Sequence, residues 1–253
     1  MSEPLLFDTL VVVSLVLAAV VATTLFFVVV PYGRHARRGW GPQMNARLGW
    51  MVMEAPAVLV FAAFFLLGDY RDSITTWLLF VMWQVHYVYR AFIYPLRLRG
   101  AGKRMPVVVV VMGVLFNVVN GYMNGRYLCT LSGGYTNQWL RDPRFVVGSA
   151  IFATGLLFNR QADATLRRLR RPERGGYAIP YGGLYRWVSC PNYLGEMVQW
   201  TGWAIATWSP AGLAFAVWTA ANLAPRARAH HRWFHEHFAD YPPERKALVP
   251  GVW

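Results

Sequence analysis

The run LFDTLVVVSLVLAAVVATTLFFVVV occupies residues 6–30, with Asp8 as its one charged side chain. About 20 predominantly apolar residues suffice for a helix to cross the hydrocarbon core of a bilayer. The run therefore predicts a transmembrane helix. Met-Ser-Glu-Pro precedes it. A cleaved signal peptide has a basic start, a shorter apolar core and a small-residue cleavage site, so the helix reads as retained. Apolar runs of similar length follow at about 48–67, 74–95, 105–123, 145–163, 192–208 and 211–235. Together they predict an all-α, multi-pass, seven-helix membrane bundle that forms a single domain over 1–253. Ser209-Pro210 makes a tight turn between the last two helices.

Composition agrees. Hydrophobic residues make up 56% of the 253 and charged residues 15%, against about 25% charged in an average soluble domain. A soluble or disordered class is excluded. Aromatics at 16%, with 12 Trp, fit membrane interfaces and an aromatic-lined pocket.

The chain carries 25 Lys+Arg against 12 Asp+Glu, a net charge of +13. Such an excess raises the question of nucleic acid, but its distribution answers otherwise. If the seven runs cross the membrane, 20 of the 25 basic residues fall on one side. Only Arg71, Arg126, Arg141 and Arg144 fall on the other, and Arg90 lies within a span. The positive-inside rule then puts the N-terminus outside and the C-terminus in the cytoplasm, as an odd number of spans requires. No nucleic-acid partner is expected, and no obligatory protein partner is evident. Cys129 and Cys190 lie near different ends of the bundle and do not predict a disulfide, and no Cys/His spacing suggests zinc.

Ionisable groups inside a bilayer are costly and mark functional sites. Glu54, His86, Arg90 and Glu196 fall within or at the edge of spans. His86, Arg90 and Tyr94 are spaced four apart, with Tyr87 three residues before Arg90, which predicts a polar stripe on one helix face. Asn117, Asn120 and Asn124 share a face and read as interhelical hydrogen-bonding groups. Asn159 and Asp163 are i, i+4. They suit either a ribose or amide-bearing ligand or the neighbouring arginines. Asn192 and Glu196 are i, i+4, with Gln199 a turn further on. Arg226, His230 and Phe234 form an i, i+4, i+8 stripe able to bind phosphate and stack a base. The histidine pairs lack a third ligand, so no metal is expected. The inside loop 160–191 reads either as a connector or as a binding loop.

These stripes share the cytoplasmic end and predict a deep cavity there, acidic inside and basic at the mouth. A ligand with a neutral reacting end and a polyanionic tail fits it, such as a nicotinamide dinucleotide or S-adenosylmethionine. The chain has no G-x-G-x-x-G and no P-loop, so a Rossmann mode of binding is excluded.

Several motifs resemble the steroid 5α-reductases, the 3-oxo-5α-steroid 4-dehydrogenases. They are Gly49-Trp50…Glu54-x-Pro56, His86-Tyr87…Arg90…Tyr94, Leu169-Arg170-x-Pro172…Ile179-Pro180-x-Gly182-Gly183-Leu184, Asn192 to Glu196, Ala204…Thr207-Trp208-Ser209, and Asp240-Tyr241-Pro242…Arg245-Lys246-Ala247-Leu248-Val249-Pro250. The resemblance runs from about residue 47 to the C-terminus. It implies a seven-helix membrane enzyme that uses NADPH to reduce the Δ4 double bond of a 3-oxosteroid or other apolar enone, with hydride to C5 and a proton to C4. Carried over by motif, Glu54 and Tyr87 are catalytic and polarise the ketone. Arg90, Tyr94, Asn159, Asp163, Arg170, Tyr177, Asn192, Glu196, Arg226, His230 and Phe234 take cofactor-binding positions. Met53 stands where the family has Gln, Phe234 where it has Tyr, and Ala178 and Leu98 replace polar residues. The small size implies a bacterial homologue in the inner membrane with its cofactor site facing the cytoplasm. Asn-x-x-Gly-Glu also recurs in S-adenosylmethionine-dependent membrane methyltransferases of lipids or isoprenylcysteine, the alternative. A non-catalytic sterol-binding protein is the third reading.

Overall fold

A computed structural model of the chain describes residues 2–31, 33–35, 37, 39–97, 103–169 and 177–253. Seven long helices are present among them: α1 (Glu3–Phe27), α2 (Ala46–Leu66), α3 (Ile74–Val88), α4 (Val107–Arg126), α5 (Pro143–Leu169), α6 (Pro191–Thr207) and α7 (Pro210–His237). Helix α3 continues through a π turn, Tyr89–Ile93, into a last turn at Tyr94–Leu96, and α4 ends in a π turn at Tyr127–Leu131. A short antiparallel ribbon of β1 (Gln43–Asn45) and β2 (Arg104–Pro106) pairs Met44 with Met105.

The helix starts follow from local chemistry. Pro143, Pro191 and Pro210 open α5, α6 and α7, where a missing N–H costs nothing. Asn45 caps α2 by accepting from the Arg47 and Leu48 amides, and Ser73 and Ser209 cap α3 and α7. The turn expected at Ser209-Pro210 is present: Trp208 ends α6 in the left-handed region, φ 45°.

Among the described residues, three helices, Glu3–Phe27, Ala46–Leu66 and Val107–Leu131, are long and apolar enough to cross a membrane. Val12, Val13, Val16, Leu17 and Val20 of α1 are exposed, as are Val111, Met112 and Leu115 of α4. These outward apolar faces suit lipid. The core is aromatic: Trp83 stacks on Phe61 at 4.5 Å and Trp200 meets Phe215 at 4.3 Å. Buried indoles need hydrogen-bond partners, and Trp83 Nε1 finds the Ala57 carbonyl at 2.8 Å. The asparagine face of α4 is interhelical as expected: Asn117 donates to the Met53 carbonyl of α2, and Asn124 accepts from Trp203 of α6. Cys129 and Cys190 are both free and buried.

The tightest packing joins α5 to α6. Gly148, Gly155, Gly195 and Gly202 meet the facing backbone, and a Cβ on Gly155 would lie 2.2 Å from the Gln199 nitrogen. Small residues of this kind let membrane helices approach backbone to backbone. The approach brings Asn159 and Asp163 of α5 beside Asn192 of α6. Gly155→Ala forces the pair apart. By the usual cost of overpacking, it should lose about 1–3 kcal/mol, read as a lower melting temperature in detergent.

The connection between α5 and α6 is shorter than expected. Helix α5 runs on to Leu169, so Arg160 and Arg167 are helical rather than loop residues. The longer helix carries them over the end of α3, where Arg160 donates to the Val85 carbonyl.

Candidate functional site

Four helices deliver one charged cluster. The Arg90 guanidinium lies 4.0 Å from Glu54, 3.7 Å from Asp163 and 3.8 Å from Glu196. Arg90 is carried on the π turn of α3. Such turns bulge the helix by an extra residue and recur at functional sites. The turn explains a departure from the expected stripe. His86, one turn earlier, does not join Arg90: its Nδ1 sits 3.1 Å from Gln199 Oε1, with its ring edge-on to Trp200. Tyr87 is buried in the aromatic core, its ring centroid 4.8 Å from Trp83 and 5.5 Å from Trp200.

Arg90 is also stacked. Its guanidinium lies 4.7 Å from the Trp50 ring centroid and 5.2 Å from that of Tyr94, and Trp50 Nε1 donates to the Arg90 carbonyl. Charge-assisted N–H···O bonds run about 2.7–2.9 Å. None of the three carboxylates is that close, so the cation is shared rather than committed. Asp163 Oδ2 and Glu196 Oε2 are buried and make no hydrogen bond among the described residues. The rest of the acidic face is ordered: Asn159 donates to the Asn192 carbonyl at 3.0 Å, and Asn192 donates to Asp163 Oδ1 at 3.4 Å.

A second group forms where α7 meets the segment after α1. His230 Nε2 is 3.0 Å from the Tyr193 hydroxyl and its Nδ1 is 3.0 Å from His35 Nε2. Burial, reinforced by the Arg34 charge, pushes His35 down to about 4. Arg226 and His230 line one pocket with His35, Tyr193 and the apolar end of α1. The Arg34 guanidinium lies 4.5 Å from the Phe234 ring centroid and 5.2 Å from that of Tyr177. Phe234 stacks on Tyr241 at 5.0 Å. The C-terminal tail fastens this end of the loop: Ser189 N donates to the Lys246 carbonyl, and Ser189 Oγ meets His231 and Tyr241.

Of the sequence-predicted residues, Glu54, Arg90, Tyr94, Asn159, Asp163, Asn192 and Glu196 meet in the first group. Tyr177, Arg226, His230 and Phe234 belong to the second. Helix α6 links the two, with Asn192 in one and Tyr193 in the other. Arg170 and Leu98 lie outside the described residues. Arg90 lies among the carboxylates, and Arg90, Glu54 and Glu196 each keep about 14–15% of their side-chain surface exposed; the pocket beside Arg226 and His230 has about 20 Å³ of free volume. Trp50, Arg34, His35 and Tyr193 complete these groups; Trp50 was read only as part of a family motif, and Arg34, His35 and Tyr193 were not singled out from sequence. The heptad spacing of Gly148 and Gly155 against Gly195 and Gly202 was the legible signal for the α5–α6 approach.

An all-helical bundle with outward apolar faces around a buried acid–arginine cluster defines a membrane-type protein with an enzyme-like polar centre. Residues 103–253 match the family described as 3-oxo-5-alpha-steroid 4-dehydrogenase. The chain is 42% identical to steroid 5-alpha-reductase DET2 of Arabidopsis thaliana over 238 residues, covering 92% of this chain and 91% of the relative. It is 41% identical to 3-oxo-5-alpha-steroid 4-dehydrogenase 1 of Bos taurus over 254 residues, 99% and 98% of the two chains. The Homo sapiens protein of that name is 40% identical over 228 residues, 87% and 85%. The chain belongs to the 3-oxo-5-alpha-steroid 4-dehydrogenase family. The similarity reaches further towards the N-terminus than residue 47, and it lends the methyltransferase alternative no support.

Proposed function

We propose that this chain is an NADPH-dependent steroid 5α-reductase that saturates the Δ4 double bond of 3-oxo-Δ4-steroids. The observation that carries the reading is the Arg90 cluster. Residues from four helices converge on it, and it leaves buried acceptors on Asp163 and Glu196 without donors. Unsatisfied buried acceptors cost free energy, and a dinucleotide supplies the missing donors through its ribose hydroxyls and carboxamide. The residues present therefore fit the cofactor. Asn159, Asp163, Asn192 and Glu196 would hold its donor groups. Arg90, Tyr94 and Arg226 would face its phosphates, with Tyr177, His230 and Phe234 nearby and Arg170 assigned from the family resemblance. Phe234, in place of Tyr, offers a ring without a hydroxyl. When bound, the nicotinamide supplies hydride to the steroid C5.

The chain's own groups act on the other end of the enone. Glu54, as its protonated carboxyl, and Tyr87 donate hydrogen bonds to the 3-ketone oxygen. They thereby stabilise the enolate-like charge that develops there as the β-carbon is reduced. A proton then reaches C4. The aromatic core around Tyr87 keeps water from this end. Seven spans, an outside N-terminus and a cytoplasmic cofactor site are part of the proposal, and the asymmetry of Lys and Arg supports them.

Detergent-purified protein should oxidise NADPH in the presence of progesterone or testosterone and yield a product two mass units heavier by mass spectrometry. NADPH binding without turnover on either steroid would exclude them as substrates. Absence of both would overturn the reading. Asn192→Ala removes the amide that donates to Asp163 Oδ1. It should weaken NADPH binding about tenfold, the worth of roughly one hydrogen bond, and Arg226→Ala should do so at least as strongly. Titration by cofactor fluorescence measures both, and wild-type affinity in either variant would dislodge that residue from the cofactor face.

A further inference from the structure

Two asparagines of α4 and one tryptophan of α6 form a hydrogen-bonded chain whose direction follows from donor chemistry alone. An indole Nε1–H is a donor and never an acceptor. Trp203 Nε1 lies 2.9 Å from Asn124, so the atom it meets is the carbonyl Oδ1. The other end of that amide is then a donor. Asn124 Nδ2 gives bonds to Asn120 Oδ1 at 2.9 Å and to the Asn120 main-chain oxygen at 3.1 Å. The Asn120 amide is oriented in turn, with its oxygen towards Asn124 and its Nδ2 pointing away. Asn120 is 1% exposed, and this last donor makes no hydrogen bond among the described residues. Tyr87 and Trp203 both pack on Trp83, with ring centroids 4.8 and 5.3 Å away, so the phenol belongs to the same buried cluster as the relay. A relay that ends on a buried, unsatisfied N–H points to an acceptor.

We propose that Asn120 is a positioning residue for Tyr87, its Nδ2–H directed at the Tyr87 oxygen so that the Tyr87 O–H is left to donate outwards to the substrate ketone. The inference rests on the role given to Tyr87 above. A phenol beside a buried acceptor donates its O–H to that acceptor. Beside a donor it accepts instead, and its own proton stays available. Chained hydrogen bonds also polarise one another, so an N–H on the phenol oxygen makes the O–H a better donor. Trp203 sets this direction from another helix and touches neither the substrate nor the cofactor in the proposed site.

Asn120→Asp exchanges the donor for an acceptor of nearly the same shape. It should lower kcat at least tenfold while the NADPH dissociation constant stays within about twofold. The deciding readout is a cycle with Tyr87→Phe. Acting through Tyr87, Asn120→Asp should cost less than twofold once the phenol hydroxyl is gone. Losses that multiply in the double variant would overturn the inference, as would full activity of Asn120→Asp alone. If Asn120→Asp does not fold, Trp203→Phe tests the same relay from its far end. Its loss, about threefold to tenfold, should likewise vanish in the Tyr87→Phe background, and a multiplied loss would overturn the inference. Tyr87→Phe by itself reports on the underlying reading. Wild-type turnover there would remove Tyr87 from the chemistry and this role of Asn120 with it.

Discussion

Glu54→Gln should lower turnover by about two to three orders of magnitude, the usual cost of losing one donor aimed at a developing oxyanion, while NADPH remains bound. The amide of Gln has nearly the carboxyl's shape and can still reach a ketone oxygen. It is a far weaker acid, so it offers much less to a transition state in which negative charge grows on that oxygen. Binding of the unreacted ketone, which carries little charge, should change less. The loss therefore belongs in kcat rather than in KM. Glu54 lies 4.0 Å from Arg90, and its neighbour Met53 is fixed by Asn117 through the main chain. The amide replacement should thus keep its place. Single-turnover reduction, with cofactor affinity measured in parallel, separates chemistry from binding. Wild-type kcat in Glu54→Gln would remove Glu54 from the mechanism.

Much of this architecture was legible because the bilayer simplifies the code. Apolar runs of helix length mark helices, and all seven expected segments correspond to long helices, with ends within a few residues where Pro or a capping side chain signals the start. The polar residues of the candidate site stood out by the same contrast, since an Asp, Glu or Arg among Val and Leu needs a reason. What periodicity could not supply was the partner of each polar group. His86 and Arg90 are four apart, and an ideal helix puts them on one face. The π turn at Tyr89–Ile93 separates them, sending one to Gln199 and the other to three carboxylates. Arg34 and His35 were hidden for a different reason. They sit in an irregular segment that has no period to read, and only the tertiary fold brings them against Phe234 and His230.

Arg90→Met should be the costlier change for the fold. The guanidinium is the cation shared by Glu54, Asp163 and Glu196, and all four side chains are at least four-fifths buried. Removing one member of a buried ion pair typically costs about 3–5 kcal/mol, because the remaining charge is left uncompensated. Here three acids from three helices would face one another with their common counter-charge gone. A marginally stable bundle loses a large part of its stability by this change. Lysine should rescue only in part, since an ammonium is a compact, strongly hydrated charge that cannot stack between Trp50 and Tyr94 as a planar guanidinium does. Two further expectations separate electrostatics from simple packing loss. The deficit of Arg90→Met should shrink as the pH is lowered, because protonation of the carboxyls relieves their repulsion. It should also shrink when Asp163→Asn and Glu196→Gln are added, while cofactor binding stays impaired in the combined variant, which lacks the acceptors and the cation alike. Thermal unfolding in detergent across pH measures all of these. A wild-type melting temperature for Arg90→Met, with the three acids intact, would mean that the helices are not held together at this cluster.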